Sequence, residues 1–443
     1  MLISFSVKNW RSFRDQQSIN LVASAEKQHL NRVPEIAECK LRILPTAAIY
    51  GGNASGKSNL FKAFRFAQDM VVNGPSGKTR ILVEPFRLDS VSPTVPTEFE
   101  FVFLVEDEEG QSSPYAYEFS LSQDRVLKEQ LSWIKKSRDI VLFEREDGKP
   151  PVFHKILTKD KNLIAVLENT RNNQLFLTNA ASQNTSNYQS KQILHILGWF
   201  NRLTCISPNT SAIFTPQAIT GNTDPENNLL YQLGTGIFRF DFIDENLPQH
   251  EIKNWLDDRS EEYLPAFIKH PSGSRFVIDK NENGLQMKRM VSVHRNDLGQ
   301  DVRFDLTDTS DGTVRLLDLL PCFQDAARPG SKKIFFIDEI DRSMHTLLVR
   351  RLLEGFLELC SPQSRSQILF TTHDIFQMDQ ELLRRDEMWL TERRRDGSTE
   401  LIPLSSFKEI RSDKSIRTSY LRGQLGGVPK LTLSTLRPSE FQE

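Results

Sequence analysis

The sequence has few of the features that mark secreted, zinc-binding or membrane-spanning proteins. Its 443 residues include only four cysteines, and these lie far apart in the chain (Cys39, Cys205, Cys322 and Cys360). Their spacing excludes the usual zinc patterns and gives no disulfide framework, which favours a reducing cytoplasm. No apolar run approaches the roughly 18 residues of a spanning helix, and the first residues lack a signal-peptide layout. We therefore expect a cytoplasmic protein with no membrane part.

The sequence also has no large excess of charge of one sign and no internal repeats. The chain has 56 basic and 58 acidic residues, for a formal net charge of −2. The overall field therefore does not indicate a nucleic-acid binder, although a local basic face would still allow DNA binding. The middle of the chain has no sustained heptads and no fixed-period repeat, which excludes long coiled-coil arms and solenoids. What remains is a globular chain of about two or three domains.

The apolar patterns at the two ends of the chain predict an α/β core. A buried strand over Ile43–Tyr50 runs into a glycine-rich loop, and a helix follows over Lys57–Val72. Near the other end, the apolar strands KKIFFIDE and SQILFTTH alternate with the helices GTVRLLDLLPCF and MHTLLVRRLLEGFLEL. Alternation of strands and helices is typical of a parallel sheet covered by helices.

The intervening sequence predicts additional lobes. Three alternating segments indicate antiparallel strands, at Glu98–Val105, Tyr115–Leu121 and Asp139–Phe143. Residues 155–200 are mainly helical in pattern, with a strand-like LFLTNA at Leu175–Ala180. The polar stretch 207–227 predicts a loop, and 228–305 predicts mixed helix and hairpin.

Residues Gly51 to Ser58 read GGNASGKS and match the phosphate-binding pattern G-x4-G-K-[ST]. Such a loop turns backbone N–H groups around phosphates, while its lysine reaches the β/γ oxygens and its serine binds Mg²⁺. A loop that only caps a helix is the alternative, but the buried strand before it favours phosphate binding. The predicted nucleotide contacts are Gly51, Asn53, Ala54, Ser55, Gly56, Lys57, Ser58 and Asn59.

Three further motifs carry polar groups at the ends of predicted elements. Asp338 and Glu339 follow an apolar strand, where Asp338 would hold Mg²⁺ and Glu339 would act as general base on water. His373 ends the next strand, where a lone histidine is more often structural, but the strand–helix–strand spacing favours a role in sensing the γ-phosphate. Ser310 and Gly312 precede a helix and could grip a phosphate, or could be an ordinary helix cap.

The two halves of this predicted site are about 280 residues apart in the chain, from Lys57 to Asp338. A compact phosphate-loop domain needs far less, so a large insertion must separate them. The motifs NWRSF, GGNASGKS, TSDGT, FFIDEIDRSMH and FTTHD together resemble ABC-type ATPases of the RecF, SMC and OLD group. The chain is most similar to stand-alone bacterial ATPases of phage-defence loci, over about residues 1–90 and 300–430.

This resemblance implies an ABC-type P-loop ATPase head assembled from both chain ends, with an antiparallel β lobe and an inserted mainly helical lobe. The implied divisions are residues 1–90 and 301–443 for the head, 91–150 for the β lobe and 151–300 for the inserted lobe.

The resemblance also implies roles for particular residues. Ser310 and Gly312 would stand at the ABC signature and complete the site of a neighbouring subunit, and the loop from Asp341 to His345 would cross that interface. Arg11 and Ser12 would flank the nucleotide, and Gln183 would be the glutamine that reports on Mg²⁺. An exposed turn arginine and a surface glutamine remain the alternatives for Arg11 and Gln183.

The sequence therefore predicts an ATPase that binds ATP and Mg²⁺ as a homodimer or higher homo-oligomer. By resemblance, it would gate a separately encoded effector, a nuclease or toxin, in antiphage defence. The alternative is a RecF- or SMC-like ATPase that binds DNA in repair. An OLD-type nuclease is disfavoured because no Asp-x-Asp follows His373, and a transporter ATPase because LSGGQ is lacking.

Overall fold

The structure is a computed structural model that describes residues 1–75, 77, 79–136, 138–183, 188–208, 229–256, 264–270, 272–282, 284–407 and 416–425. The chain divides into two compact units. The first comprises Met1–Cys205, Ala326–Ile340 and Leu357–Glu443, and the second comprises Ile206–Asp325 and Asp341–Phe356. The first unit therefore takes its residues from both ends of the chain, as the sequence predicts.

Strands make up most of the regular structure. They are β1 (Leu2–Lys8), β2 (Gln17–Asn20), β3 (Glu35–Ile36), β4 (Leu41–Arg42), β5 (Thr46–Tyr50), β6 (Thr97–Glu106), β7 (Ser112–Leu121), β8 (Val126–Trp133), β9 (Ile140–Glu146), β10 (Val152–Phe153), β11 (Leu203–Ile206), β12 (Arg239–Glu245), β13 (Ala266–Lys269), β14 (Arg275–Asn281), β15 (Gly284–Arg295), β16 (Asp301–Asp305), β17 (Ile334–Ile337), β18 (Gln367–Thr371), β19 (Met388–Arg393) and β20 (Thr399–Pro403). The α-helices are α1 (Lys57–Val72), α2 (Lys161–Glu168), α3 (Phe176–Ser182), α4 (Lys191–Phe200), α5 (Leu229–Gln232), α6 (Gln249–Lys253), α7 (Asp311–Ala327), α8 (Thr346–Leu359) and α9 (Ile416–Leu421). Among the described residues, no helix has the length and apolar character needed to cross a membrane.

A largely parallel sheet forms the centre of the first unit, with the strand order β11-β17-β18-β5-β19-β20. β17, β18, β5 and β19 pair in parallel, and β20 closes the edge as the antiparallel partner of β19. Every residue of β5, β17 and β18 is buried, which explains their continuous apolar sequences. Because parallel strands end at the same edge of a sheet, the loops after these three strands meet there.

A second, antiparallel sheet lies in the same unit, with the order β10-β9-β8-β7-β6-β1-β2. Helix α1 packs between the two sheets through Phe64. The ring of Phe64 lies 5.0 Å from Phe5 and 5.4 Å from Phe101 on the antiparallel sheet, and 5.3 Å from Phe336 on β17. Aromatic contacts on both sides therefore fix the helix that follows the glycine-rich loop.

The strand predicted at Leu175–Ala180 is wrong, because this segment forms helix α3. The fully buried carboxylate of Glu129 on β8 accepts hydrogen bonds from the backbone N–H groups of Phe176 (2.8 Å) and Leu177 (3.3 Å). A carboxylate at a helix N-terminus satisfies otherwise unpaired N–H groups and complements the helix dipole. Glu129 is 47 residues from Phe176 in the chain, so no local pattern could show this cap.

The second unit contains the antiparallel sheet β12-β15-β14-β13, to which β16 adds as a further partner of β15. Ile252 of helix α6 packs with Ile278 and Met287 of this sheet in a small hydrophobic core. Arg275 and Asp318 form a buried ion pair at 2.8 Å in the same unit. The loop predicted over 207–227 lies, beyond Pro208, outside the described residues.

Candidate nucleotide-binding site

The glycine-rich loop joins β5 to helix α1 at the edge where the parallel strands end. Its conformation requires glycine at two positions, because Gly51 has φ 154° and Gly56 has φ 115°. A Cβ on Gly51 would lie 2.3 Å from the hydroxyl oxygen of Thr391, and one on Gly56 equally close to that of Thr399. Two threonines of the β19–β20 hairpin therefore press against the loop and hold its shape.

Lys57 is buried at the centre of this loop, with 4% of the residue exposed. Its Nζ donates hydrogen bonds to the carbonyl oxygens of Gly51 (2.6 Å) and Gly52 (3.1 Å). The same nitrogen lies 3.3 Å from Nδ1 of His373, which is exposed just beyond the end of β18. The loop thus holds a positive charge beside the histidine that the sequence predicts as the sensor of the γ-phosphate.

Asp338 and Glu339 follow β17 at the same edge. The Ser58 hydroxyl donates to Oδ1 of Asp338 at 3.3 Å, which links the glycine-rich loop to the first acid. Oδ1 also accepts a hydrogen bond from the Thr371 hydroxyl at 2.6 Å. Glu339 has a left-handed backbone, with φ 47°. The chain therefore turns sharply between the two acids.

A cavity of about 500 Å³ opens over the loop. Its lining includes the predicted residues Arg11, Ser12, Asn53, Ala54, Ser55, Gly56, Lys57, Ser58, Asn59, Glu339 and His373. Gly51 and Asp338 do not line it but bond to residues that do, through Lys57 and Ser58 respectively. The structure thus brings most of the predicted nucleotide contacts to one opening.

Arg11 and Ser12 reach the cavity from the turn after β1. Arg11 has φ 48°, and its guanidinium forms an ion pair with Glu84. The Ser12 hydroxyl accepts a hydrogen bond from the Asn59 side chain and lies 2.8 Å from the Thr399 hydroxyl. This turn is therefore tied both to helix α1 and to the β19–β20 hairpin.

Several residues that line the cavity belong to none of the sequence motifs. Phe86, Leu88, Arg393 and Gly397 complete the wall of the cavity. The hairpin threonines bond directly to the loop: the Thr391 hydroxyl lies 2.6 Å from that of Ser55, and the Thr399 hydroxyl donates to the Ser55 carbonyl at 2.9 Å. The only local signal is the Asp-Gly turn of the hairpin, which predicts a turn but not its neighbour in space.

Ser310 and Gly312 belong to the second unit and do not line the cavity. The exposed Ser310 caps helix α7, since its hydroxyl accepts a hydrogen bond from the Thr313 N–H at 3.3 Å. A Cβ on Gly312 would lie 2.4 Å from the carbonyl oxygen of Ser343. Close approach to the loop after Glu339 is thus a local reason for glycine at this position.

Gln183 lies outside the cavity lining as well. It is exposed at the end of helix α3, where its side-chain amide donates to Asn179 (3.3 Å) and Ser182 (3.4 Å). Within the described residues, the hydrogen-bond partners of Gln183 are therefore local ones on its own helix.

The sequence profile of one protein family matches residues 47–173 and 216–379, and the family is described as "AAA domain, putative AbiEii toxin, Type IV TA system". No curated protein sequence matches the chain. Among solved structures, the chain is similar to the SMC head domain from Thermotoga maritima (14% identity, TM-score 0.35, covering 91% of this chain and 98% of that one). It is also similar to an SMC head bound to the C-winged helix domain of ScpA (14% identity, TM-score 0.39, covering 90% and 97%).

The family match includes the glycine-rich loop, Asp338, Glu339 and His373, and its two segments cover about two thirds of the chain. The fold and the loop are those of a nucleotide-binding ATPase. The chain therefore belongs to the AAA-domain family of putative AbiEii toxins of type IV toxin–antitoxin systems.

Proposed function

We propose that this protein binds and hydrolyses ATP, as its magnesium complex, in the cavity over the glycine-rich loop. The observation that carries the proposal is the 3.3 Å contact between the Ser58 hydroxyl and Asp338, which joins the loop after β5 to the end of β17. Hydroxyl and carboxylate oxygens are the ligands that Mg²⁺ takes from proteins, with the remainder supplied by nucleotide phosphates and water. The residues present therefore fit a magnesium nucleotide.

Each polar group has a distinct task in this proposal. Lys57 stabilises the negative charge of the β- and γ-phosphates, and Mg²⁺ held by Ser58 and Asp338 would supply further positive charge. Glu339 directly follows Asp338 and lines the cavity, where its left-handed backbone turns the chain. From this position its carboxylate accepts a proton from the attacking water. His373, next to Lys57, hydrogen-bonds the γ-phosphate and responds to its departure.

We further propose that the site is completed by a second copy of the chain, in a homodimer or larger homo-oligomer. Ser310 is exposed at the start of the 17-residue helix α7, so its hydroxyl and the helix N-terminus are open to a neighbouring subunit. The loop that follows Glu339 approaches Gly312 closely through the Ser343 carbonyl, so in this proposal it lies at the same interface. Loss of the γ-phosphate would then loosen the interface.

The output of this cycle, in our proposal, is control of a separately encoded effector in antiphage defence. The family description, which names a toxin–antitoxin system, supports an output of this kind. In cells that carry the gene together with its genomic neighbours, Lys57→Ala would change growth or phage resistance relative to the matched Lys62→Ala. Identical growth and resistance for the two variants would contradict nucleotide-controlled gating.

Purified protein tests the ATPase proposal directly. Lys57→Ala removes the buried charge of the loop, so ATP affinity should fall by at least about tenfold and hydrolysis should be lost. Lys62 is exposed on the same helix, so Lys62→Ala is the matched control and should bind and hydrolyse ATP normally. Equal ATP binding by the two variants, measured by calorimetry, would overturn the assignment of the site.

A further inference from the structure

The side chain of Thr371, the last residue of β18, lies between the two acids of the site. It is fully buried. Its hydroxyl donates to Oδ1 of Asp338 at 2.6 Å and accepts a hydrogen bond from the backbone N–H of Glu339 at 2.8 Å. A threonine hydroxyl has one proton to donate and lone pairs to accept, so one side chain satisfies both bonds at once.

The backbone of Thr371 adds a third contact to the same turn. Its carbonyl oxygen accepts a hydrogen bond from the N–H of Ile340 at 3.0 Å. β18 is held on both sides, by β17 and by β5, so the end of this strand is a fixed reference point. Three consecutive residues, from Asp338 to Ile340, are therefore bonded to one residue of the neighbouring strand.

This attachment explains how Glu339 keeps a backbone conformation that non-glycine residues rarely adopt. A left-handed conformation costs an L-residue about 1 kcal/mol or more and persists only where surrounding contacts determine it. The Glu339 N–H bond to Thr371 and the neighbouring Ile340 N–H bond are two such contacts. Without the hydroxyl, the Glu339 N–H loses this hydrogen bond and the turn is less firmly held.

We propose that Thr371 is a positioning residue for nucleotide hydrolysis, whose hydroxyl orients the Asp338 carboxylate and holds the Glu339 turn toward the cavity. The inference rests on the proposed ATPase function and deepens it. His373 follows Thr371 by two residues, so the end of β18 positions both acids and carries the histidine beside Lys57. Loss of the Thr371 hydroxyl should therefore slow ATP hydrolysis and reduce the contribution of Mg²⁺ to ATP binding. The contacts of the glycine-rich loop with the nucleotide should stay intact.

Three variants separate positioning from simple loss of a buried hydroxyl. Thr371→Val keeps the shape and removes both side-chain bonds, whereas Thr371→Ser keeps the hydroxyl. Thr46→Val is the matched control, because Thr46 is a fully buried threonine of the same sheet whose hydroxyl donates to the Ile368 carbonyl at 2.7 Å. We expect kcat for ATP to fall about 30-fold or more in Thr371→Val, and KM for ATP with Mg²⁺ to rise by up to about tenfold because the metal is held less well. Thr371→Ser and Thr46→Val should stay within about threefold of the wild type.

A binding measurement gives the second readout. ATP affinity is measured by calorimetry with Mg²⁺ and with EDTA, and the ratio is the gain due to the metal. That gain should shrink about tenfold in Thr371→Val, since a misdirected Asp338 binds the metal less well, while affinity in EDTA stays unchanged. If Thr371→Val does not fold, Thr371→Ala against Thr46→Ala makes the same comparison.

The outcomes separate this inference from the function on which it rests. A wild-type protein that neither binds nor hydrolyses ATP would defeat the proposed function. If the wild type hydrolyses ATP and Thr371→Val matches Thr46→Val in kcat and in the gain due to Mg²⁺, the positioning role is overturned while the ATPase assignment stands.

Discussion

At the scale of single residues, the shape of the glycine-rich loop depends on contacts with a hairpin that is remote in sequence. Gly56 combines a left-handed backbone with a Cβ position that the Thr399 side chain occupies. Gly148 also has positive φ, at 76°, but nothing lies within 4 Å of its Cβ position. A side chain at either position would therefore be strained by the backbone conformation, but of the two only a side chain at Gly56 would also be crowded.

Gly56→Ala should therefore lower ATP affinity by at least about tenfold, because the loop must move away from Thr399 to make room for the methyl group. Gly148→Ala carries only the strain of its turn and should bind ATP as the wild type does, with stability reduced by about 1 kcal/mol. Calorimetric titration of both variants checks this pair. Unchanged affinity in Gly56→Ala would show that the hairpin does not constrain the loop.

Sequence motifs identified Lys57, Asp338 and His373, and the structure brings these side chains to one edge of the sheet. They could be found because each follows a buried strand, and parallel strands end at a common edge. Thr371 and Thr391 could not be assigned in this way. Their hydrogen-bond partners depend on the order in which β17, β18, β5 and β19 pair in the sheet. No spacing along the chain predicts that order. The roles of all these residues in catalysis stay predictions.

At the scale of elements, a buried charge cluster attaches the segment before β3 to the short helical turn before β19. Arg32 pairs with Glu387 at 2.6 Å, and Arg384 pairs with Asp386 at 2.8 Å. Arg32 and Glu387 lie 355 residues apart in the chain. Burial raises the pKa of the Glu387 carboxyl to about 7, despite the nearby charge of Arg32.

This pKa makes stability depend on pH. The folded state binds the Glu387 proton more tightly than the unfolded state, whose pKa is 4.5, so the contribution is complete below pH 4.5 and is lost as pH rises through 7. We expect unfolding free energy to fall by about 3 kcal/mol from this group between pH 5 and pH 8. The unfolding free energy of Glu387→Gln, measured with urea, should not show this decrease between pH 5 and pH 8. A variant with the same pH slope as the wild type would contradict the account.

The elements differ in how far the sequence could predict them. Continuous apolar runs predict β5, β17 and β18, because all their residues are buried, and helical spacing predicts α1, which buries one face. The strand predicted for helix α3 is wrong, because seven residues are too short for periodicity to decide and the Glu129 cap lies on a distant strand. Local pattern therefore predicts elements whose burial shows in their own sequence, and it fails where a remote side chain decides the structure.

At the scale of the whole molecule, the two ends of the chain form the unit that contains the nucleotide cavity. The long separation between the glycine-rich loop and Asp338 predicts a large insertion, and the family resemblance implies a head assembled from both chain ends. The second unit was harder to predict, because its sequence mixes short strands with polar segments. Ser310 lies in that unit, and its proposed task requires another subunit. In the proposed function, ATP hydrolysis and self-association are therefore parts of one cycle.

The most direct test is the oligomeric state and ATP hydrolysis of Glu339→Gln. Removing the proposed general base should abolish hydrolysis and leave ATP binding intact, so the protein with Mg²⁺ and ATP should be trapped as a dimer or larger assembly. Glu358→Gln, an exposed change on α8, is the control and should hydrolyse ATP normally. Light scattering with bound-nucleotide analysis should give at least twice the mass of one chain, with unhydrolysed ATP retained. Hydrolysis at the wild-type rate, or an ATP-bound monomer, would contradict the account.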